Sequence, residues 1–495
     1  MLNQRLSIDG SICTVKYVGK DVPVWPDEEA IGVEWDDPAR GKNDGSVKGL
    51  KLFECSQPGA GSFLKRVSLD KKNVLYGTSF VDAVVERYAN EMRVDEIKIG
   101  SKMGEVLGFD NHDLGQLMSV NLANNGISKA VEGDKRLRLD HVAQMDLSFN
   151  LFTSFQTILE CLLLTPNVEF VSLNGNRFRV DVSEDAPIFP KVHSLCLANT
   201  LLTPEQVLRV LKHFPNLTYL VLAHNQTSMQ SIDLRNTSLD RLDLSFNDLD
   251  NLTPFLFPTT LTSLYLSQNK LQNVSESTLP PSKHITTIDV SHNLLQWSDF
   301  DQLCLIYPCV DNLRVNDNPF TEEDFSSNNL SVSPIDSQVL ARWHKELQVL
   351  NGRFVNHQIR SDSLIYFVNS VLQGKLAYPR NEGSNKAHFD NLVESLGITP
   401  VEAAPRVEDD FPTARQAFIK VTFTTRENQG ERKETQKLNR HCSVQKMKFG
   451  VLRERGFSPL HGCSVVIDDI EVYDELKTLD FYGVGETSKV DVCIA

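Results

Sequence analysis

The sequence is poor in the features that mark membrane proteins, secreted proteins and common enzyme families. Its 495 residues hold no apolar run long enough to span a bilayer. The opening "MLNQRLSIDGSICTVKYVGK" has no basic segment followed by an apolar one, so it does not read as a secretion signal. The nine cysteines are scattered, with Cys304 and Cys309 the closest pair. No C-x-x-C pair is matched by a second, so neither a metal site nor a disulfide framework is expected. Reduced thiols and a cytoplasmic location are the expectation instead. Positive charge is also scarce. The formal net charge of −15 argues against a general nucleic-acid binder, which needs basic surface to neutralise phosphates. The sequence has no G-x-x-x-x-G-K-[ST], no H-E-x-x-H and no G-x-S-x-G, and "GVGETSK" from Gly483 has the wrong spacing for a P-loop. No catalytic residue, cofactor or metal is expected, and a non-enzymatic role follows.

What is present is a soluble composition, 41% hydrophobic and 23% charged, over a length suited to two to four domains. The middle of the chain repeats itself. "VAQMDLSFNLF" from Val142, "LDRLDLSFNDL" from Leu239, "LTSLYLSQNKL" from Leu261 and "ITTIDVSHNLL" from Ile285 all fit L-x-x-L-x-L-x-x-N-x-L. Related copies end in Asn125, Asn176, Asn225 and Asn318, and one has Thr200 at the Asn position. The markers fall at 125, 150, 176, 200, 225, 247, 269, 293 and 318, spaced by 22 to 26 residues. Leucine-rich repeats have a period of roughly 20–29 residues. Each L-x-L predicts a short strand with its leucines turned inward, and the Asn sits where the chain turns and can satisfy backbone groups there. Stacked copies give an α/β solenoid with a strand-lined concave face.

Binding information should lie on the outward strand positions. One row reads Asn121, Asp146, Ser172, Cys196, Val221, Asp243, Tyr265, Asp289 and Arg314. The other reads Ser119, Gln144, Phe170, Ser194, Tyr219, Arg241, Ser263, Thr287 and Asn312. Phe170, Tyr219, Val221 and Tyr265 are apolar or aromatic where solubility asks only for polarity, and such residues anchor protein interfaces. The array, placed at 95–378, should close near "ARWHKELQVLNGRFV", with Trp343, Leu347 and Leu350 at helical spacing over the last repeat.

The two ends differ from the middle. Residues 1–75 are glycine-rich and strand-like and predict a small β-barrel. Their segment "RGKNDGSVKG" at 40–49 has the residue types of a tight turn. Residues 379–412 lose periodicity, carry four prolines and an acidic "VEDD", and read as a linker with room for a short helix at "FDNLVESLG". Residues 413–495 read as strand, strand, helix, strand, strand, an α+β sheet crossed by one helix.

The stretch "GVEWDDPARGKNDGSVKG", with the Cys and Gly-Ser-Phe that follow, resembles a CAP-Gly domain, and "LKTLDFYGVGETSKVDV" resembles a ubiquitin-like, β-grasp domain. In this order with the repeats, the architecture resembles the tubulin-specific chaperone E family, also called tubulin-folding cofactor E. The resemblance implies a cytosolic chaperone that binds α-tubulin. It also implies action with cofactors B, C and D and an Arf-like GTPase in assembling or dissociating the α/β-tubulin dimer. CAP-Gly domains hold acidic tails that end in an aromatic residue. Carried onto this chain, Lys42 would pair with a carboxylate, Asn43 would offer donors, and Gly41, Asp44 and Gly45 would shape the loop. Trp35, Phe53 and Phe63 would line a slot for the terminal ring. Ile31 stands where many such domains carry an aromatic, which would narrow the stacking surface. The chain ends in "VCIA" without Gly-Gly, so the ubiquitin-like domain would serve interaction rather than conjugation, moving separately on its linker. A microtubule-associated adaptor is the competing reading, weakened by the absence of heptads.

Overall fold

The computed structural model describes residues 1–89, 114–133, 137–183, 185–225, 229–321, 333–380, 383–397, 418–427, 430–440, 442–454, 463–468, 470–472, 475, 477–485 and 488–494. The expected start of the repeat array at 95 and the 398–412 part of the expected linker lie outside these residues. The chain divides into two compact units, Met1–Gln272 with Glu276–Pro280, and Asn273–Ser275 with Pro281–Ala495.

The first unit opens with a five-stranded antiparallel sheet in the order Gly61–Lys65, Ala30–Trp35, Ser11–Gly19, Arg5–Ile8, Val74–Leu75. Alternation decides its two faces. Leu6, Ile8, Cys13, Val15, Ile31, Val33 and Trp35 point to one side and form the core with Leu69. Gly32 and Glu34, one step out of phase, belong to the other side. Arg5, 1% exposed, is fixed by a two-pronged pair with Asp36 at 3.0 and 2.5 Å.

The repeats follow as parallel strands Ser119–Asn121, Gln144–Asp146, Phe170–Ser172, Ser194–Cys196, Tyr219–Val221, Arg241–Asp243 and Ser263–Tyr265. Their middle residues, from Val120 to Leu264, are at most 1% exposed. The marker side chains form a ladder. Asn176 donates to the carbonyls of Leu147 and Leu173, each at 2.9 Å, and accepts from the Asn150 amide at 2.9 Å. Asn225, Asn247 and Asn269 likewise each donate to a carbonyl of their own repeat and one of the repeat before. A side chain with two donors and an acceptor answers backbone groups that neither helix nor sheet can reach. Thr200 keeps one of these links, donating to Leu197 O at 2.9 Å. The residue just before each marker, Asn124, Phe149, Gly175, Asn199, His224, Phe246 or Gln268, has positive φ. The chain reverses there.

The second unit carries the parallel strands Thr287–Asp289, Asn312–Arg314 and Val349–Leu350, and an antiparallel Arg353–Phe354 closes the edge. Asn293 and Asn318 continue the side-chain ladder within it. The expected cap residues Trp343, Leu347 and Leu350 are buried, but not on a helix. Helix Pro334–Arg342 stops at Trp343, and Leu350 belongs to the closing hairpin. The Trp343 indole donates to Val310 O at 3.1 Å, and the Arg342 guanidinium lies over Trp297 and Tyr378 at 4.2 and 4.9 Å.

The expected linker is also partly structured. Helix Gly383–Ser395 inserts Phe389, 4% exposed, against Ala341, Phe367, Val368 and Val371. The C-terminal domain is a β-grasp. Its sheet order is Gly430–Asn439, Phe418–Glu427, Lys489–Ile494, Cys463–Ile467, Ile470–Glu471, with helix Val444–Glu454 packing Val444, Met447, Val451 and Leu452 into the core. That core takes in Ile365 from helix His357–Leu372. Tyr366 stacks on Phe481 at 4.9 Å, and the Asn369 amide donates to Tyr482 O at 3.0 Å. The ubiquitin-like domain is therefore docked on helix His357–Leu372, contrary to the expectation that it moves separately.

Candidate functional site

The Gly41–Gly45 loop is built to a fixed shape. The amides of Lys42 and Asn43 both donate to Gly61 O, at 2.7 and 3.0 Å, and Gly61 returns a bond to Asn43 O at 2.8 Å. Asn43 turns its side chain inward and accepts from the Gly45 amide at 3.0 Å. Asp44, fully exposed, accepts from the Ser46 amide at 3.1 Å, and the Ser46 hydroxyl and amide hold its carboxyl below the usual range. Gly41 and Gly45 meet backbone rather than open space. A Cβ on Gly41 would overlap Gly59 and Ala60, and one on Gly45 (φ 92°) would overlap the Phe53 carbonyl. Lys42 is exposed. Of residues 41–45, it is the one that presents a cationic side chain to a partner, while the Asn43 side-chain oxygen is committed to the turn.

Beside the loop, Phe53 and Phe63 meet edge to face at 5.3 Å, and Tyr17 meets Phe63 at 6.2 Å. Gly32 seats the Phe53 ring, since a Cβ there would overlap it. Trp35 does not join this slot. It shares the phase of Ile31 and Val33, is 5% exposed in the core, and lies under the Arg40 guanidinium at 4.6 Å. Ile31, 1% exposed on the same core face, cannot narrow the slot either. The alternation Ile31-Gly32-Val33-Glu34-Trp35 carried this information. Tyr17 was not legible in the same way, because alternation in "ICTVKYVG" puts it in phase with Cys13 and Val15, and a register shift between Val15 and Tyr17 is what brings it opposite Gly32. Glu34 was also missed. Its carboxylate accepts from Ser56 N, from Ser56 Oγ at 2.5 Å and from Gln57 N at 3.2 Å, with Lys16 at 3.0 Å. Burial works to raise its pKa, but Ser56 and Lys16 together hold it below the usual value.

On the repeat surface the register sets Phe170, Ser194, Tyr219 and Arg241 side by side, and Cys196, Val221, Asp243 and Tyr265 in the next row. Phe170, Tyr219, Val221 and Tyr265 are half-buried. Tyr219 lies at the centre under the Arg241 guanidinium at 5.0 Å, and burial, with the Asp243 carboxylate, pushes its pKa up to about 12. Several outward acids are committed to turns. Asp146, Asp243 and Asp289 each accept from the amide two residues on, at 2.9, 2.9 and 3.0 Å. Among the described residues, no group of three or more His, Cys, Asp or Glu could hold a metal, and no helix is long and apolar enough to cross a membrane.

Residues 2–69 match the CAP-Gly domain family, and residues 237–295 match the leucine-rich repeat. The chain is thus a multidomain protein that joins a CAP-Gly domain, a leucine-rich-repeat array and a β-grasp ubiquitin-like domain. It resembles the ubiquitin-like domain of an Arabidopsis thaliana protein at 18% identity, over 18% of this chain and 92% of that one, with a TM-score of 0.14. Protein PAC2 of Saccharomyces cerevisiae is 27% identical over 80% of this chain and 78% of its own length. Tubulin-specific chaperone E of Danio rerio is 27% identical over 99% of this chain and 98% of its own. The chain is thus similar to a tubulin-specific chaperone E along nearly its whole length.

Proposed function

We propose that this chain is a cytoplasmic tubulin cofactor that captures α-tubulin by its acidic, aromatic-ended tail. The observation that carries this reading is the Phe53–Phe63 slot beside the exposed Lys42, in a chain that aligns end to end with a tubulin-specific chaperone. The terminal ring of the tail fills the slot and its carboxylates meet Lys42. The concave face around Tyr219 takes the folded body of α-tubulin through Phe170, Val221 and Tyr265. With cofactors B, C and D and an Arf-like GTPase, the complex assembles or dissociates the α/β dimer. Tethering tail and body contacts on one chain makes the second contact intramolecular and raises affinity over either alone.

The test mixes purified chain with tubulin dimer and follows dimer integrity by size, with and without the partner cofactors. Dimer exchange or dissociation is the expected result. A stable complex on intact dimer or polymer would replace the chaperone with an adaptor.

A further inference from the structure

A cleft lies farther along the strand that seats the Phe53 ring. Along strand Ala30–Trp35, Gly32 seats the Phe53 ring and Glu34, two residues on and about 7 Å away, borders a cleft of about 440 Å³. One wall comes from the CAP-Gly domain, with Lys16, Glu34 and Ser56, and the other from the repeats, with Arg177, Arg179 and Gln206.

The charges in this cleft do not balance locally. Glu34 is neutralised by Lys16 at 3.0 Å and capped by Ser56, and Asp36 by Arg5 at 2.5 Å. Arg177 has no such partner. Its guanidinium donates to Asn199 O and, at 2.9 Å, to Asn199 Oδ1, both neutral acceptors. Among the described residues, no carboxylate forms an ion pair with it. Burial disfavours its charge, and the field of Asp36 reaches it only across the cleft. A half-buried guanidinium is normally met by an anion, because removing it from water is costly unless it is paired. Arg179, on the same wall, is 72% exposed and 3.8 Å from Asp181.

We propose that this cleft continues the tail site: an acidic peptide seated by its terminal ring in the Phe53–Phe63 slot lays its upstream carboxylates against Arg177 and Arg179 of the repeats. The inference rests on the tail-binding reading above. An extended peptide advances about 3.3–3.6 Å per residue, so the residues from roughly the third before the ring onward reach the cleft. The repeats would then read the length and acidity of the tail, which a CAP-Gly slot alone cannot do.

The experiment titrates the full chain with three labelled peptides and follows anisotropy. The first is Glu-Glu-Tyr with one preceding Gly. The second adds six glutamates upstream, and the third adds six glutamines. The six-glutamate peptide should bind about tenfold more tightly than the short one, a gain equal to about 1.4 kcal/mol, and the glutamine peptide should match the short one. In R177Q and in the surface variant R179E, the short peptide should bind as in the parent while the advantage of the glutamates shrinks. R179E guards against a folding artefact, because its side chain is mostly in solvent. Equal affinity of the short and six-glutamate peptides for the parent chain overturns the inference alone. So does an undiminished advantage in both variants. Failure of every peptide to bind overturns the tail reading and this inference with it.

Discussion

Removal of the Asn247 side chain should be among the most damaging single changes in the repeats. Asn247 is 0% exposed. Its amide donates to Leu222 O at 3.0 Å and Leu244 O at 2.9 Å, and its oxygen accepts from the Asn225 amide at 2.6 Å. Asn247→Ala strips all three partners at once. Each neutral bond contributes about 1 kcal/mol net, and a buried group left unsatisfied costs about 1–3 kcal/mol. The expected loss is therefore at least about 3 kcal/mol, which is large against a typical total stability of roughly 5–15 kcal/mol. Asn247→Thr is the control supplied by the chain itself, because Thr200 occupies the same place in its repeat and keeps one donor bond at 2.9 Å. It should retain about one bond and cost roughly 1 kcal/mol less than Asn247→Ala. In urea, with a slope near 3 kcal/mol per M, the alanine midpoint should fall by about 1 M. Hydrogen exchange at the Asn225 amide gives a local readout. Equal midpoints for the two variants, with unchanged protection at Asn225, would refute the ladder argument.

Four further outcomes follow from the same geometry. Lys42→Ala should weaken an aromatic-ended acidic peptide in a salt-dependent way without moving the melting transition, whereas Gly45→Ala should disturb the domain itself, because its new Cβ overlaps the Phe53 carbonyl; equal effects on melting would undo this division of labour. Replacing Phe170, Tyr219 and Tyr265 together by Ala should lower affinity for folded tubulin and spare the peptide, and an unchanged tubulin titration would reduce the repeats to a spacer. Glu34 has its carboxyl held below the usual value near 4.5. Its contribution is thus present above that value and is lost as the pH falls through its lowered folded pKa. Glu34→Gln should flatten acid destabilisation of the CAP-Gly domain below about pH 4.5, and a denaturation series showing the same slope for both proteins would contradict this. Gly483 has φ 69°, and a Cβ there would crowd the Asn369 side chain. Gly483→Ala should loosen the docked ubiquitin-like domain, and unchanged proteolysis of 357–372 would argue that the docking tolerates it.

The sequence by itself determined the elements whose reasons are local. A repeat writes its own register: the inward leucines and turn asparagines recur at each copy, so Leu244 and Asn247 could be placed without coordinates. The Gly-Lys-Asn-Asp-Gly loop was equally legible as residue types, because turns select residues by local φ and short-range hydrogen bonds. Trp35 was lost through neglect of alternation, although its neighbours Ile31 and Val33 marked the core face. The cap at Trp343 misled because i, i+4 and i, i+7 spacing suits a helix, whereas burial here is shared among a helix end, a turn and a hairpin. Only the tertiary structure decided the rest. Phe481 against Tyr366, and Arg177 facing Glu34 and Asp36 across one cleft, join residues more than a hundred positions apart. Such contacts leave no periodic trace. They arise when folded surfaces meet, and apolar area, stacking and the pairing of buried charge then select among partners that the chain lists nowhere near one another.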